Sequence, residues 1–146
     1  MLKQAGSRAM LAALVFLVGA CERYVEEEEG GAVADAVADS IAAQSPVLQN
    51  LPPGADREQL EIGLRAYAVC SVCHGPEGHG TPLGPPLRNA EWIHIDGTPA
   101  SIAQIIQGGV PTPREFPIPM PVMGGGRFEP DEFDALVAYV HALSQT

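Results

Sequence analysis

The chain has 146 residues, enough for one folded domain with length to spare but not for two ordinary domains. Hydrophobic residues make up 46 % yet aromatics only 5 %, against 16 Gly and 14 Pro, so the aliphatic core is small, loops are many and a bulky buried group would fill the deficit. The net charge of −10, with eleven acids against five arginines in residues 54–146, argues against nucleic-acid binding.

In residues 1–20, Lys3 and Arg8 precede the apolar run from Met10 to Val18, and Val18-Gly19-Ala20-Cys21 ends it in small residues and a cysteine. That order reads as a secretory signal peptide. A membrane-crossing helix needs ~20 apolar residues, about twice what stands here, and Glu22 follows at once. The segment also resembles the lipobox of bacterial lipoproteins, with Val18 where leucine is commoner. The resemblance implies cleavage before Cys21 and acylation of Cys21, and several acyl chains hold a protein on a membrane far more firmly than one. Ordinary cleavage, giving a soluble protein with a free Cys21, is the alternative.

Residues 21–53 read as an acidic tether: Glu26 to Glu29 in a row, Gly30-Gly31, an Ala/Val/Asp stretch, then Pro52-Pro53. This composition predicts mostly disorder, with Val33, Val37 and Ile41 spaced for one short helix. About 32 residues of flexible coil span roughly 30 Å, enough to lift a small domain off a bilayer and let it swivel.

The folded region, residues 54–146, starts with Asp56 as a helix cap and Leu60, Leu64 and Tyr67 at helical spacing, in a helix that runs into Cys70. Gly75, Gly78, Gly80, Pro82, Gly84, Pro85 and Pro86 then forbid regular structure. A second helix is predicted from Pro99 to Gln107, with Ile102, Ile105 and Ile106 on one side and Gly108-Gly109 ending it. The loop from Val110 to Gly126 holds five prolines and no strand. Glu129-Pro130-Asp131-Glu132 opens a last helix presenting Phe133, Leu136, Val137 and Val140. The fold class is all-α, a small helical domain with two long Gly/Pro-rich loops.

Cys70-Ser71-Val72-Cys73-His74 carries the chemistry. Two cysteines two residues apart can each add across a vinyl group of haem to form thioethers, while the adjacent histidine reaches the iron. A redox dithiol would sit near a βαβ pattern, which is missing, and a structural zinc site needs a second close pair of ligands that His79 and His94 do not supply. The expected cofactor is one haem c.

Around this motif, residues 56 to 144 resemble the small monohaem class I cytochromes c. Gly63 to Tyr67 is similar to the glycine and aromatic of that family's first helix, Gly84-Pro85-Pro86-Leu87 to its loop after the haem motif, and Met120-Pro121-Val122-Met123-Gly124 to its sixth-ligand loop. Tyr139 matches the aromatic of its last helix. Gly63 would let a second helix cross closely. The resemblance implies that a carbonyl near Pro85 accepts the Nδ1 hydrogen of His74. It also implies a methionine as second axial ligand, Met120 by its following Pro121, with Met123 as the alternative. His94 is a lesser rival in a loop able to approach the haem edge, His141 is expected at a surface or edge, and His79 in solvent. Trp92 is expected to fill the lower side of the haem or bond a propionate, and Arg88 to pair with a propionate; core filler and solvated charge are their plainer readings. Between Tyr67 and Cys70 the chain has one residue fewer than the usual spacing, a turn of about 100°, which leaves Tyr67, Leu64 and Ala66 as candidates to meet Tyr139.

The resemblance therefore implies an exported, lipid-anchored electron carrier facing the periplasm or cell exterior, with His74 and Met120 on the iron, and not an enzyme. Its partners would be a redox donor and acceptor with basic docking surfaces, held less well at high salt. The alternatives are a peroxidase-type haem enzyme and a fixed cytochrome subunit of a respiratory or photosynthetic complex.

Overall fold

Most of the described α-helices begin on a residue able to take up their free amides. In the computed structural model, which describes residues 36, 39–88 and 91–146, Ser45 caps α1 (Pro46–Gln49) and Asp56 caps α2 (Arg57–Ala66). A 3₁₀ turn, Tyr67–Val69, leads into the short α3 (Ser71–His74). Thr98 caps α4 (Pro99–Gly108), and α5 (Pro130–Leu143) opens where the Glu129 amide donates to the Glu132 carboxylate at 3.0 Å. Proline stands at the start of both later helices, where its missing N–H costs nothing. No strand forms among the described residues; Thr81 pairs with Gly84 and Val110 with Met120 as isolated bridges. The fold is all-α, as predicted. The signal segment, Cys21 and the tether as far as residue 38, residue 36 apart, lie outside the described residues.

The main contact is the crossing of α2 and α5. Gly63 makes it possible: a Cβ there would lie 2.6 Å from the Tyr139 Cβ and would overlap the Ala135 carbonyl. Leu60 of α2 and Leu136, Tyr139, Val140 and Leu143 of α5 are buried, joined by Ile102 and Ile106 of α4.

The packed region begins earlier than the Gly54 boundary. Val47 is 0 % and Leu48 4 % exposed, Ser45 Oγ lies 3.1 Å from the Tyr139 hydroxyl, and Arg57 donates to the Leu48 carbonyl at 3.0 Å. Two apolar residues among prolines and polar groups show no period, so only the surface they cover on α2 and α5 reveals them. Residues 39–44 are helical, with Ile41 half exposed.

The first long helix also differs from expectation by ending at Ala66 rather than running on to Cys70. Tyr67 is the residue that meets Tyr139, ring centroids 5.4 Å apart. Three 3₁₀ steps turn the chain about 360°, against about 400° for four α steps, so the tightened turn restores most of the angle that the missing residue removes. The Tyr67 hydroxyl donates to the Gly75 carbonyl at 2.8 Å, and burial, helped by Cys70, raises its pKa so that the phenol stays neutral.

Ahead of α4, the Ser101 hydroxyl together with the hydroxyl and amide of Thr98 holds the exposed Asp96 carboxyl down at about 2, from 3.8. A folded-state pKa below the unfolded one contributes stability that is complete above about pH 4 and lost as pH falls toward 2. Asp96→Asn should therefore flatten that limb in melting curves taken between pH 7 and pH 2. An unchanged acid limb would show that these bonds do not act on folding.

Candidate haem site

Cys70 stands just before α3, with Cys73 and His74 within it. The His74 amide donates to the Cys70 carbonyl at 2.9 Å, so the pentapeptide is one helical turn that turns both thiols and the imidazole toward one cleft. Gly75 ends that turn with φ 80°. The loop after it folds back on the motif: the Thr81 hydroxyl donates to the Cys73 carbonyl at 2.7 Å, and the Gly80 amide to the His74 carbonyl at 2.8 Å.

That return brings the Pro85 carbonyl to 2.8 Å from His74 Nδ1. A carbonyl only accepts, so Nδ1 carries the proton and the Nε2 lone pair is left for a ligand. Burial lowers the His74 pKa, against the raising effect of the Pro85 bond. A neutral imidazole is the form that binds a metal. Burial, and then Cys73, pushes the Cys70 thiol up to about 11, and no disulfide joins the pair.

The cleft has an empty volume of about 1110 Å³ counting its open mouth. Its walls are mostly aliphatic: Ile102, Ile105 and Ile106 from α4, Leu87 after the glycine loop, Val140 from α5. A large apolar pocket with two thiols and one imidazole at its edge fits a flat, mostly apolar group held by thioethers and one axial nitrogen. No cluster of three or more His, Cys, Asp or Glu with metal-site geometry exists among the described residues.

The predicted pocket residues divide. Pro85, Leu87, Trp92, His94 and Met120 line the cleft, whereas Met123 does not. Met120 is set there by exchanging backbone hydrogen bonds of 2.9 and 3.1 Å with Val110. Gly109 makes that pairing possible: its φ is 66°, and a Cβ would lie 2.5 Å from the Met120 carbonyl oxygen. Met123 instead sits in the turn Val122–Gly125 with a left-handed φ of 55°. Arg88 is not among the lining residues, and its guanidinium lies 3.6 Å from the Glu77 carboxylate. His79 lies 3.5 Å from the same carboxylate, and His141 Nδ1 is 3.2 Å from the Gly97 carbonyl, both away from the lining. Phe116 and Ile118 line the cleft from the proline-rich loop and were not singled out in the sequence. Their apolar side chains amid prolines were the available signal.

A helical domain wrapped around a cleft with these groups is that of a c-type haem protein. The family model for cytochrome c matches residues 60–144, and the chain belongs to the cytochrome c family. No curated protein and no solved structure matched it. It is thus a protein that binds one haem c covalently and transfers electrons through it, with redox partners on either side of that step.

Proposed function

We propose that this chain is a membrane-tethered single-electron carrier, its haem bound through Cys70 and Cys73 and its iron held between His74 and Met120. The observation that carries this reading is the 2.8 Å contact from His74 Nδ1 to Pro85 O on a cleft that Met120, and not Met123, also lines. When bound, the haem supplies an iron that passes between Fe(III) and Fe(II) by one electron. The Pro85 carbonyl orients the imidazole and raises its basicity. The Met120 thioether favours the reduced state relative to a second histidine. With His74 and Met120 both bound to the iron, no position would be left for a substrate, and the protein would act as a carrier rather than an enzyme. The aliphatic walls exclude water, so little solvent has to reorganise when charge changes. The acidic surface favours partners with basic docking groups, at rates that fall with salt.

Met120→Ala should abolish the long-wavelength absorption band of methionine-ligated ferric haem, whereas Met123→Ala should keep it. The reverse pattern would transfer the role to Met123, and high-spin spectra with peroxide turnover in the unaltered protein would make it an enzyme. Acylation of Cys21 after export would hold the carrier on a membrane facing the periplasm or exterior. Radioactive palmitate should then label the full chain but not a Cys21→Ser variant, and an unlabelled full chain would remove the anchor.

A further inference from the structure

Tyr67 is 1 % exposed, so its hydroxyl stands inside the domain, cut off from bulk water. Its ring meets that of Tyr139 at 5.4 Å between centroids, a contact phenylalanine would make as well. A buried hydroxyl costs stability unless it is bonded, and this one donates to the Gly75 carbonyl at 2.8 Å. The Tyr139 hydroxyl takes a different neighbour, Ser45 Oγ at 3.1 Å, so the two paired phenols fasten two separate segments. What Tyr67 fastens adjoins the candidate ligand. Gly75 is the residue after His74, buried, with φ 80° and ψ 153°, and there the chain leaves the helical turn of the motif. Its amide closes that turn on the Ser71 carbonyl at 2.8 Å, while its carbonyl opens the glycine loop. The same loop comes back to His74 twice: the Gly80 amide donates to the His74 carbonyl at 2.8 Å, and the Pro85 carbonyl lies 2.8 Å from Nδ1.

We propose that Tyr67 is a positioning residue for His74: its hydroxyl pins the Gly75 carbonyl, and that pin holds the imidazole and its bond to Pro85 in place. The inference rests on the reading of His74 as an iron ligand and deepens it. Pro85 acts on the ring from the far end of the loop, and Tyr67 fixes the near end through the backbone. Gly75 has no side chain of its own to hold that end, and its backbone is the freest in the turn. Without the phenol the Gly75 carbonyl keeps the Gly78 amide, 3.1 Å away, so no buried acceptor is left bare and the domain still folds. What is lost is the tie between the motif and the buried tyrosine pair. A ligand histidine owes its orientation and its donor strength to the bond at its other nitrogen, so a slack loop start reaches the metal side of the ring through Pro85.

The test compares the full-chain holoprotein with its Tyr67→Phe and Tyr139→Phe variants, each of which loses one buried hydroxyl and keeps the ring pair. Two nuclear magnetic resonance signals are followed beside the melting temperature: exchange of the His74 Nδ1 proton with deuterium in the reduced protein, and the pattern of shifted haem methyl resonances in the oxidised protein, which reports the plane of the imidazole. Tyr67→Phe should exchange that proton roughly tenfold faster and change the methyl pattern. Tyr139→Phe should change neither. A Tyr67→Phe protein that melts lower yet leaves the proton exchange or the methyl pattern as it was would reduce Tyr67 to packing and overturn the proposal. Equal changes in Tyr139→Phe would trace them to general loosening of the core and overturn it as well. If the unaltered protein itself shows no shifted methyl resonances and no protected Nδ1 proton, His74 is not the iron ligand, and the reading beneath the proposal fails before Tyr67 does.

Discussion

Replacing both Cys70 and Cys73 with serine should leave the polypeptide without covalently retained haem. In the unaltered protein, haem should travel with the chain through denaturing gels and resist acidic organic extraction; in the double variant all of it should extract. Each single variant should keep haem through one thioether, with a shifted absorption spectrum, because the two cysteines attach independently. The physical stake is larger than the attachment. The cleft walls, Ile102, Ile105, Ile106 and Leu87 among them, are apolar side chains that a bound haem would cover. A group that can leave stabilises the fold only by mass action, whereas a covalently held one never dilutes away. The double variant should therefore melt at a temperature that depends on added haem, and the unaltered protein should not. Haem still attached after denaturation of the double variant would overturn the assignment of these cysteines.

Gly63→Ala should cost the domain about 3 kcal/mol and lower its Tm by roughly 15 °C. Alanine in a helix interior is worth ~1 kcal/mol over glycine, so propensity alone would predict a gain. The added methyl, however, would lie 2.6 Å from the Tyr139 Cβ and against the Ala135 backbone, neither of which has a rotamer to turn away. Relief requires α2 and α5 to separate, and they carry the largest contact in the fold. Gly108 provides the control, since a Cβ there would meet nothing within 4 Å. Gly108→Ala should be neutral or stabilising by up to ~1 kcal/mol. If denaturant melts rank the two alanine variants the other way, the close crossing at Gly63 does not limit stability.

Several elements were legible because their causes are local. Asp56, Pro99 and Glu129-Pro130 mark the three longer helices within a residue or two of their observed starts, since a cap or an N-terminal proline acts only on the first turn. The glycines and prolines after Gly75 and Val110 keep those stretches out of regular structure wherever they pack. The haem motif is local as well: five consecutive residues hold both thiols and the imidazole, and one helical turn brings them to one side.

What only the tertiary structure decided depends on residues far apart in the chain. Val47 and Leu48 are buried because α2 and α5 leave a surface for them, and no pattern in the acidic stretch before Gly54 announces it. Met120 lines the cleft and Met123 does not; Val110, ten residues back, pairs with the former, while the latter sits on a left-handed backbone in the next turn. Arg88 pairs with Glu77, eleven residues back across the glycine loop, a contact that no local pattern announces. The pentapeptide Cys70 to His74 is where the two kinds of determination meet. Its residue types and spacing pointed to a covalent haem, since two thiols at that separation can each add across a haem vinyl group beside a histidine for the iron. The proton on His74, the ring's orientation and the aliphatic walls around it came from Pro85, α4 and the proline-rich loop, which only folding brings within reach.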